Sequence, residues 1–280
     1  MILVTGVNGQ LGFDVVKELN RRNIEFLGTS KLELDITNCN AVEDYITKLK
    51  PYCVIHCAAY TAVDKAEYER ESCYNVNVLG TENIAKACKK INAKMIYIST
   101  DYVFDGKGDL PFEIDGHIEP LSFYGKSKYE GELKVKEILH KYFIVRISWV
   151  FGMNGNNFVK TMLRLGKEKE RLNVVCDQMG SPTYTFDVAV LLCDMAQSKK
   201  YGVYHATNQG FCSWAEFAKE IMKKAELNCV INPISTSEYE TKATRPLNSR
   251  LSKKKILENN FRMLPSWQDA LERFLLQLKE

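Results

Sequence analysis

The sequence predicts an α/β protein, a doubly wound parallel sheet with a smaller C-terminal lobe. Two observations predict it. Short apolar runs alternate with helical periodicities through the first half, and a glycine-rich loop joins the first run directly to the first helical pattern.

Ile2-Leu3-Val4-Thr5 is apolar and bounded by Gly6, as a buried parallel strand requires. Leu11, Val15, Val16 and Leu19 then recur at helical spacing. Residues 24–28 read as a second strand, and residues 41–49 as a helix that Pro51 ends. Residues 53–57 form a third strand. A long helical stretch follows, with Val78, Ile84, Ala85 and Cys88 inward. Residues 95–99 and 143–148 read as further strands. Sequential strands joined by helices give a mostly parallel sheet covered on both faces, a Rossmann-type architecture. The second half is less regular. Helices are expected over 158–165, 186–196, 214–225 and 267–278, a strand over 203–206, and a polar stretch over 235–252. The expected division is a dinucleotide-binding domain over 1–152 and a mainly substrate-binding lobe over 153–280, with some segments returning to the sheet.

Composition narrows the function. A chain of 280 residues that is 45% hydrophobic and 26% charged has enough apolar surface for a sizeable core. Net charge is only +3, and the densest basic run, Lys253-Lys254-Lys255, extends into no stripe; it reads as a solvated helix face, not a nucleic-acid patch. The nine cysteines are odd in number and form no Cys-x-x-Cys, which argues against a zinc site and a disulfide framework. Free thiols, no signal-peptide core and no long apolar span fit a cytoplasmic protein with no membrane partner.

Gly6, Gly9 and Gly12 form Gly-x-x-Gly-x-x-Gly between a strand and a helix. In that context Gly6 permits the tight turn, Gly9 lets the backbone approach a pyrophosphate, and Gly12 lets helix and sheet pack closely. The helix N-terminus presents free N–H groups to the phosphates. Three glycines alone would mark only a turn; the strand before and the helix after favour a dinucleotide. No carboxylate occupies Gly28-Thr29-Ser30-Lys31, where an NAD enzyme would hold the ribose hydroxyls. Ser30 and Lys31 therefore point to NADPH, with NADH the alternative. Asp35 and Ile36 are placed to flank the adenine, although Asp35 serves equally well near a helix N-cap.

Tyr124 and Lys128 stand four apart, on one face if the segment is helical. A nearby ammonium lowers a phenol's pKa, so Tyr124 is expected to give a proton to a carbonyl oxygen as hydride reaches its carbon. Tyr-x-x-x-Lys is a weak pattern alone; its place after the 95–99 strand gives it weight. Thr100, at the end of that strand, is the expected third hydroxyl, its bland reading being a turn cap.

These residues, with Ala58-Ala59-Tyr60-Thr61-Ala62-Val63-Asp64, Asn77-Val78-Leu79-Gly80-Thr81 and Ser99-Thr100-Asp101-Tyr102-Val103-Phe104, resemble the extended short-chain dehydrogenase/reductase family. More narrowly they resemble the dTDP-4-dehydrorhamnose reductases. The likeness continues through residues 146–152, 177–183 and 245–249, nearly the whole chain. It implies reduction of a dTDP-linked 4-keto-6-deoxy sugar. It implies that Gly9, Gln10 and Leu11 touch the pyrophosphate, that Ala58, Ala59, Tyr60, Thr61 and Asn77 line the cofactor, and that Val63, Thr100, Asp101 and Trp149 meet the sugar. Arg245, in Arg-Pro-x-Asn-Ser, is the expected diphosphate contact, with Lys242 and Arg250 as weaker candidates. Family members often hold magnesium at a dimer contact. No residues here mark such a site, so no metal ligand is assigned, and monomer and homodimer both stay open.

Two other readings stand beside this one. A sugar-nucleotide dehydratase of the same fold would carry Thr-Asp-Glu where this chain has Thr100-Asp101-Tyr102, and a tyrosine cannot replace that carboxylate. A non-catalytic subunit like the regulatory subunit of some methionine adenosyltransferases would not need Thr100, Tyr124 and Lys128 together.

Overall fold

The computed structural model describes residues 1–279; Glu280, the last residue of the expected lobe, lies outside them. The chain opens with β1 (Ile2–Thr5), α1 (Gln10–Arg21), β2 (Phe26–Thr29), α2 (Cys39–Leu49) and β3 (Cys53–His56). Then come α3 (Arg70–Tyr74), a π-helical stretch Asn75–Gly80, and α4 (Thr81–Lys90). β4 (Lys94–Thr100), α5 (Phe123–Ile138) and β5 (Tyr142–Ile147) complete the first half. The second half holds β6 (Val150–Phe151), α6 (Phe158–Glu168), β7 (Arg171–Val175), β8 (Met179–Gly180), β9 (Thr183–Tyr184) and α7 (Thr185–Gln197). It ends with β10 (Gly202–His205), β11 (Cys212–Ser213), α8 (Trp214–Lys224), β12 (Val230–Ile234), α9 (Lys254–Glu258) and α10 (Trp267–Gln277).

Six strands form one parallel sheet in the order β10-β5-β4-β3-β1-β2. Alternation along the strands divides the core. Ile2, Val4 and Ile55 face α1 and α7, where Val15, Leu19, Val188 and Leu192 pack. Leu3, Val54 and Met95 face the other way, onto Val42, Ile46, Ile84 and Val135. Three elements from beyond residue 152 thus sit with the sheet: β10 forms its edge, α7 packs beside α1, and α9 packs on β10. A separate core of Phe151, Phe217, Ile221, Trp267, Leu271 and Phe274 holds the rest of the second half.

The chain leaves β1 toward β2 on one side and then places β3 on the other, so the strand order reverses at β1. Ligands of such sheets bind in the crevice at that switch point, beyond the carboxyl ends of the strands. Thr5, His56 and Thr100 end their strands there.

Some expectations need correction. β7 and β12 pair in parallel within the irregular second half, at positions for which no strand was expected. Their burial is partial, so the apolar alternation that marks a strand is weak. The basic run is not wholly solvated either. Lys253 Nζ donates to the Asn208 carbonyl at 3.0 Å and lies 4.8 Å from the Phe211 ring centroid, and burial pushes its pKa down to about 8. The nine cysteines are all free thiols. Among the described residues no helix is long and apolar enough to cross a membrane, and no three His, Cys, Asp or Glu side chains cluster to hold a metal ion.

Candidate active site

The glycine loop builds the floor of the site. Gly6 has φ of +74°, and a Cβ there would lie 2.6 Å from Ala58 N. A Cβ on Gly12 would lie 2.2 Å from the Gly6 carbonyl oxygen, so α1 can approach the loop this closely only without one. Gly9 caps α1 in extended conformation with no side-chain hydrogen bond to the helix, which leaves first-turn N–H groups free for a ligand.

Two cavities open above this floor. One, of about 280 Å³, is lined by Gly6, Gly9, Ser30, Lys31, Asp35, Ile36, Ala58, Ala59 and Tyr60. The other, of about 470 Å³, is lined by Gly9, Gln10, Leu11, Gly12, Ala59, Thr61, Val63, Thr100, Asp101, Tyr124, Lys128 and Trp149. They share Gly9, Cys57 and Ala59, so they form one cleft. Residues from seven separate segments, scattered over 150 positions of sequence, thus face one space.

Asn77 lines neither cavity. It is buried, accepts the Tyr60 N–H at 2.8 Å, and donates to the Tyr60 carbonyl at 3.1 Å and to Ser127 Oγ at 3.0 Å. It braces the 58–61 loop against α5. Asp35 lines the first cavity while its Oδ1 accepts the Thr37 N–H and hydroxyl, at 3.0 and 2.7 Å. A carboxylate does stand near Ser30: Glu33 folds back onto the Ser30 N–H at 2.8 Å and onto its hydroxyl. It is spent capping that turn and does not line the cavity, whereas the exposed Lys31 does.

α5 carries the reacting pair. Ser122 caps it, accepting the Gly125 N–H at 3.2 Å. Tyr124 and Lys128 both line the larger cavity, with the Tyr124 ring edge-on to that of Tyr102 at 5.6 Å. Lys128 is buried, its Nζ 4.1 Å from the Tyr97 ring centroid. The electrostatics differ from the expected ones. Burial, with Asp101 adding, pushes the Tyr124 phenol well above its ordinary value, and only the Thr100 hydroxyl pulls it down among the leading influences. Burial pushes Lys128 down to about 7, opposed by Glu132 one turn along. The expected lowering of Tyr124 by an ammonium fails because the same dry environment that surrounds the phenol disfavours the ammonium too. Thr100 both lines the cavity and caps a turn, accepting the Tyr102 N–H at 3.2 Å and donating to Asp101 Oδ1 at 3.0 Å. Asp101 Oδ2 is buried and makes no well-formed hydrogen bond, and burial raises this carboxyl to about 6 against the opposing pull of the Ser249 and Thr100 hydroxyls.

The far wall comes from side chains of the second half. Trp149 has φ of +48°, sparsely populated for a non-glycine residue, and stacks on Trp214 at 3.7 Å. Beyond that stack lies a third cavity, of about 310 Å³, lined by Phe158, Gln178, Trp214, Tyr239 and Arg245 among others. Arg245 is paired with Asp64 at 2.8 Å. Arg250 bonds Asn248 Oδ1, and Lys242 is exposed; neither lines a cleft cavity. Sequence reasoning missed Trp214, which read as one apolar position of an amphipathic helix. It also missed the loop after β6, where Asn154 Nδ2 donates to Asn8 O at 2.7 Å and Asn157 Nδ2 to Gln10 Oε1 at 3.0 Å. The polar run Asn154-Gly155-Asn156-Asn157, between a strand and a helix, was the available signal.

Known proteins place this arrangement. The RmlD substrate binding domain family matches residues 1–280. A dTDP-4-dehydrorhamnose reductase of Aggregatibacter actinomycetemcomitans is 44% identical, covering 97% of each chain. The spore coat polysaccharide biosynthesis protein SpsK of Bacillus subtilis is 39% identical, covering 98% of this chain and 96% of its own. A crystal structure of dTDP-4-dehydrorhamnose reductase from Bacillus anthracis in complex with NADP superimposes with a TM-score of 0.96 at 45% identity, covering 99% of this chain and 98% of that one. The chain therefore belongs to the RmlD substrate binding domain family, together with these dTDP-4-dehydrorhamnose reductases.

Proposed function

We propose that this protein is an oxidoreductase that reduces the 4-keto group of dTDP-4-dehydro-L-rhamnose to give dTDP-L-rhamnose, with NADPH as hydride source and Tyr124 as proton donor. The observation that carries it is the single cleft in which Thr100, Tyr124 and Lys128 share a cavity with the glycine loop. The cleft fits a dinucleotide. Its floor is stripped of side chains at Gly6, Gly9 and Gly12, its helix N-terminus keeps free N–H groups, and Lys31 stands where a 2′-phosphate would be met. NADPH, when bound, supplies the hydride.

The chain's own groups handle the proton. A phenol whose pKa burial keeps high stays protonated at neutral pH, which suits a donor in the reduction direction. As hydride reaches C4, negative charge develops on the ketone oxygen, and the Tyr124 proton passes to it. The alkoxide is far more basic than a phenolate, so the transfer runs downhill even from this weakened acid. Lys128, poised near pH 7, then offers a positive charge or a proton to the phenolate left behind. Thr100 orients the ketone oxygen. The unpartnered Oδ2 of Asp101 is a ready acceptor for a sugar hydroxyl, and Trp149 gives the sugar an apolar face.

The test is turnover of the pure protein with dTDP-, UDP-, GDP- and CDP-linked 4-keto-6-deoxy sugars and either NADPH or NADH. One NADPH consumed per sugar reduced, with dTDP preferred, is the expected result. Conversion of dTDP-glucose, which still carries its 6-hydroxyl, to a 4-keto-6-deoxy sugar without net NADPH consumption would show a dehydratase instead, and no turnover with any sugar would show a binding subunit.

A further inference from the structure

Arg245 stands where three parts of the molecule meet. It lines the third cavity beside Phe158, Trp214 and Gln178. Its guanidinium acts on Tyr102, a residue of the catalytic cavity, through its charge and a side-chain hydrogen bond, both of which pull the phenol down. It is also gripped from the first half of the chain, because Arg245 Nη2 donates to Asp64 Oδ2 at 2.8 Å. The other carboxylate oxygen, Asp64 Oδ1, accepts the Ala243 N–H at 3.1 Å. Asp64 follows the 58–63 loop whose residues line the cofactor cleft. One carboxylate thus divides its oxygens between the backbone of the 241–246 strap and the guanidinium that the strap carries. Pro246 stiffens the strap further by restricting the Arg245 backbone.

Fold stability does not account for this pair. The two side chains are 43% and 30% exposed, and such pairs contribute little. Meanwhile Arg245 Nε is buried and has no hydrogen-bond partner. A guanidinium is a rigid fork of five donors, and a buried donor left unpaired is costly unless a ligand brings an acceptor. One arm held and a neighbouring donor dry and unpaired describes a fork set for an acceptor from outside the chain. Phosphate oxygens match that fork.

We propose that Asp64 is a positioning residue, which holds the strap so that the free donors of Arg245 meet the diphosphate of the nucleotide-sugar. This rests on the substrate reading given above. Holding the fork in place before binding cuts the ordering cost of binding. The diphosphate is remote from the reacting ketone and keeps its charge through the reaction, so the contact acts on substrate binding and not on the chemical step.

Asp64→Asn keeps an acceptor for the Ala243 N–H and removes the charge that grips Arg245. The expected result is a rise of about tenfold in the KM for the dTDP-4-keto sugar and in the Kd for dTDP alone, the loss of one charge-assisted bond. The kcat and the Kd for NADPH should stay within about twofold. Asp64→Glu should recover part of the loss. Asp64→Asn added to Arg245→Ala should cost nothing beyond Arg245→Ala, because Asp64 acts through Arg245. An unchanged or tighter dTDP Kd in Asp64→Asn, or additive effects in the double variant, would overturn the positioning role while leaving the substrate reading intact. Wild-type protein that binds NADPH but no dTDP would overturn the substrate reading and this role with it.

Discussion

The two walls of the cleft are built from different materials. The cofactor wall is backbone: Gly6, Gly9 and Gly12 within seven residues, with Ala58 pressed against Gly6. The substrate wall is side chain: Trp149 against Gly180 and Trp214, then Arg245 on its strap, drawn from four separate segments. A backbone wall depends on the absence of Cβ atoms and so appears as a local pattern. A side-chain wall depends on which distant segments pack together. The difference teaches where damage should be general and where it should be selective. Between the walls, at the end of β4 and the start of α5, sit Thr100 and Tyr124, which should matter to chemistry alone.

The largest expected effect falls at that seam. Tyr124→Phe should lower kcat by about a hundredfold or more, since positioned acid catalysis is worth that much, with the NADPH Kd near wild type. Single-turnover kinetics with a rate above about a tenth of wild type would remove Tyr124 from its role.

Next comes the same methyl group added to each wall. On the cofactor wall, Gly12→Ala forces a Cβ to within 2.2 Å of the Gly6 oxygen, which is backbone and cannot swing away. NADPH affinity should fall by about tenfold to a hundredfold, as overpacking costs roughly 1–3 kcal/mol. On the substrate wall, Gly180→Ala puts its Cβ 2.6 Å from the Trp149 indole, which can shift only by disturbing its stack on Trp214. That variant should raise the sugar-nucleotide KM and spare NADPH. Fluorescence titration with NADPH separates the two, and equal loss of NADPH in both would erase the contrast between the walls.

Lys128 gives a smaller effect, read in stability. Its folded pKa is near 7 against an ordinary 10.5, so between those values the unfolded chain binds a proton that the folded chain does not. Stability should therefore rise with pH through that window, with the full penalty present below about pH 7. Lys128→Met should lose activity yet gain on the order of 1–3 kcal/mol at about pH 6, a gain that shrinks by about pH 9. Urea melts at both pH values check it, and a destabilised variant at the lower one would mean that burial does not cost the ammonium what the geometry implies.

The smallest effect belongs to the exposed rim of the cofactor wall. Lys31→Ala should weaken NADPH by about two- to fivefold and leave NADH unchanged, since an exposed ion pair is worth little more. Equal weakening of both cofactors would place Lys31 away from the 2′-phosphate.

Legibility followed the same division. The strands of the sheet were readable because burial on both faces makes each a short unbroken apolar run, as in Cys53–His56. β7 and β12 were not, since Val174 and Val175 are buried side by side and Ile231 is the one buried residue of β12, so neither strand keeps a clean alternation. Asn77 was legible as part of a motif, but its two bonds to the Tyr60 backbone were not, because a motif records that a residue matters and not what it touches.

By itself the sequence determined the sheet, the glycine floor, and the Tyr124–Lys128 spacing. Each rests on unbroken apolar runs, on a spacing of about four, or on missing side chains, which local chemistry enforces wherever the chain goes. Only the tertiary structure decided how Tyr124 and Lys128 titrate, that Trp149 takes a positive φ against Gly180, and that Asp64 reaches Arg245 across 181 positions. A pKa depends on how much water the packed neighbours exclude, and a pairing at that separation on how the second half closes over the sheet. Neither quantity exists until the two halves meet.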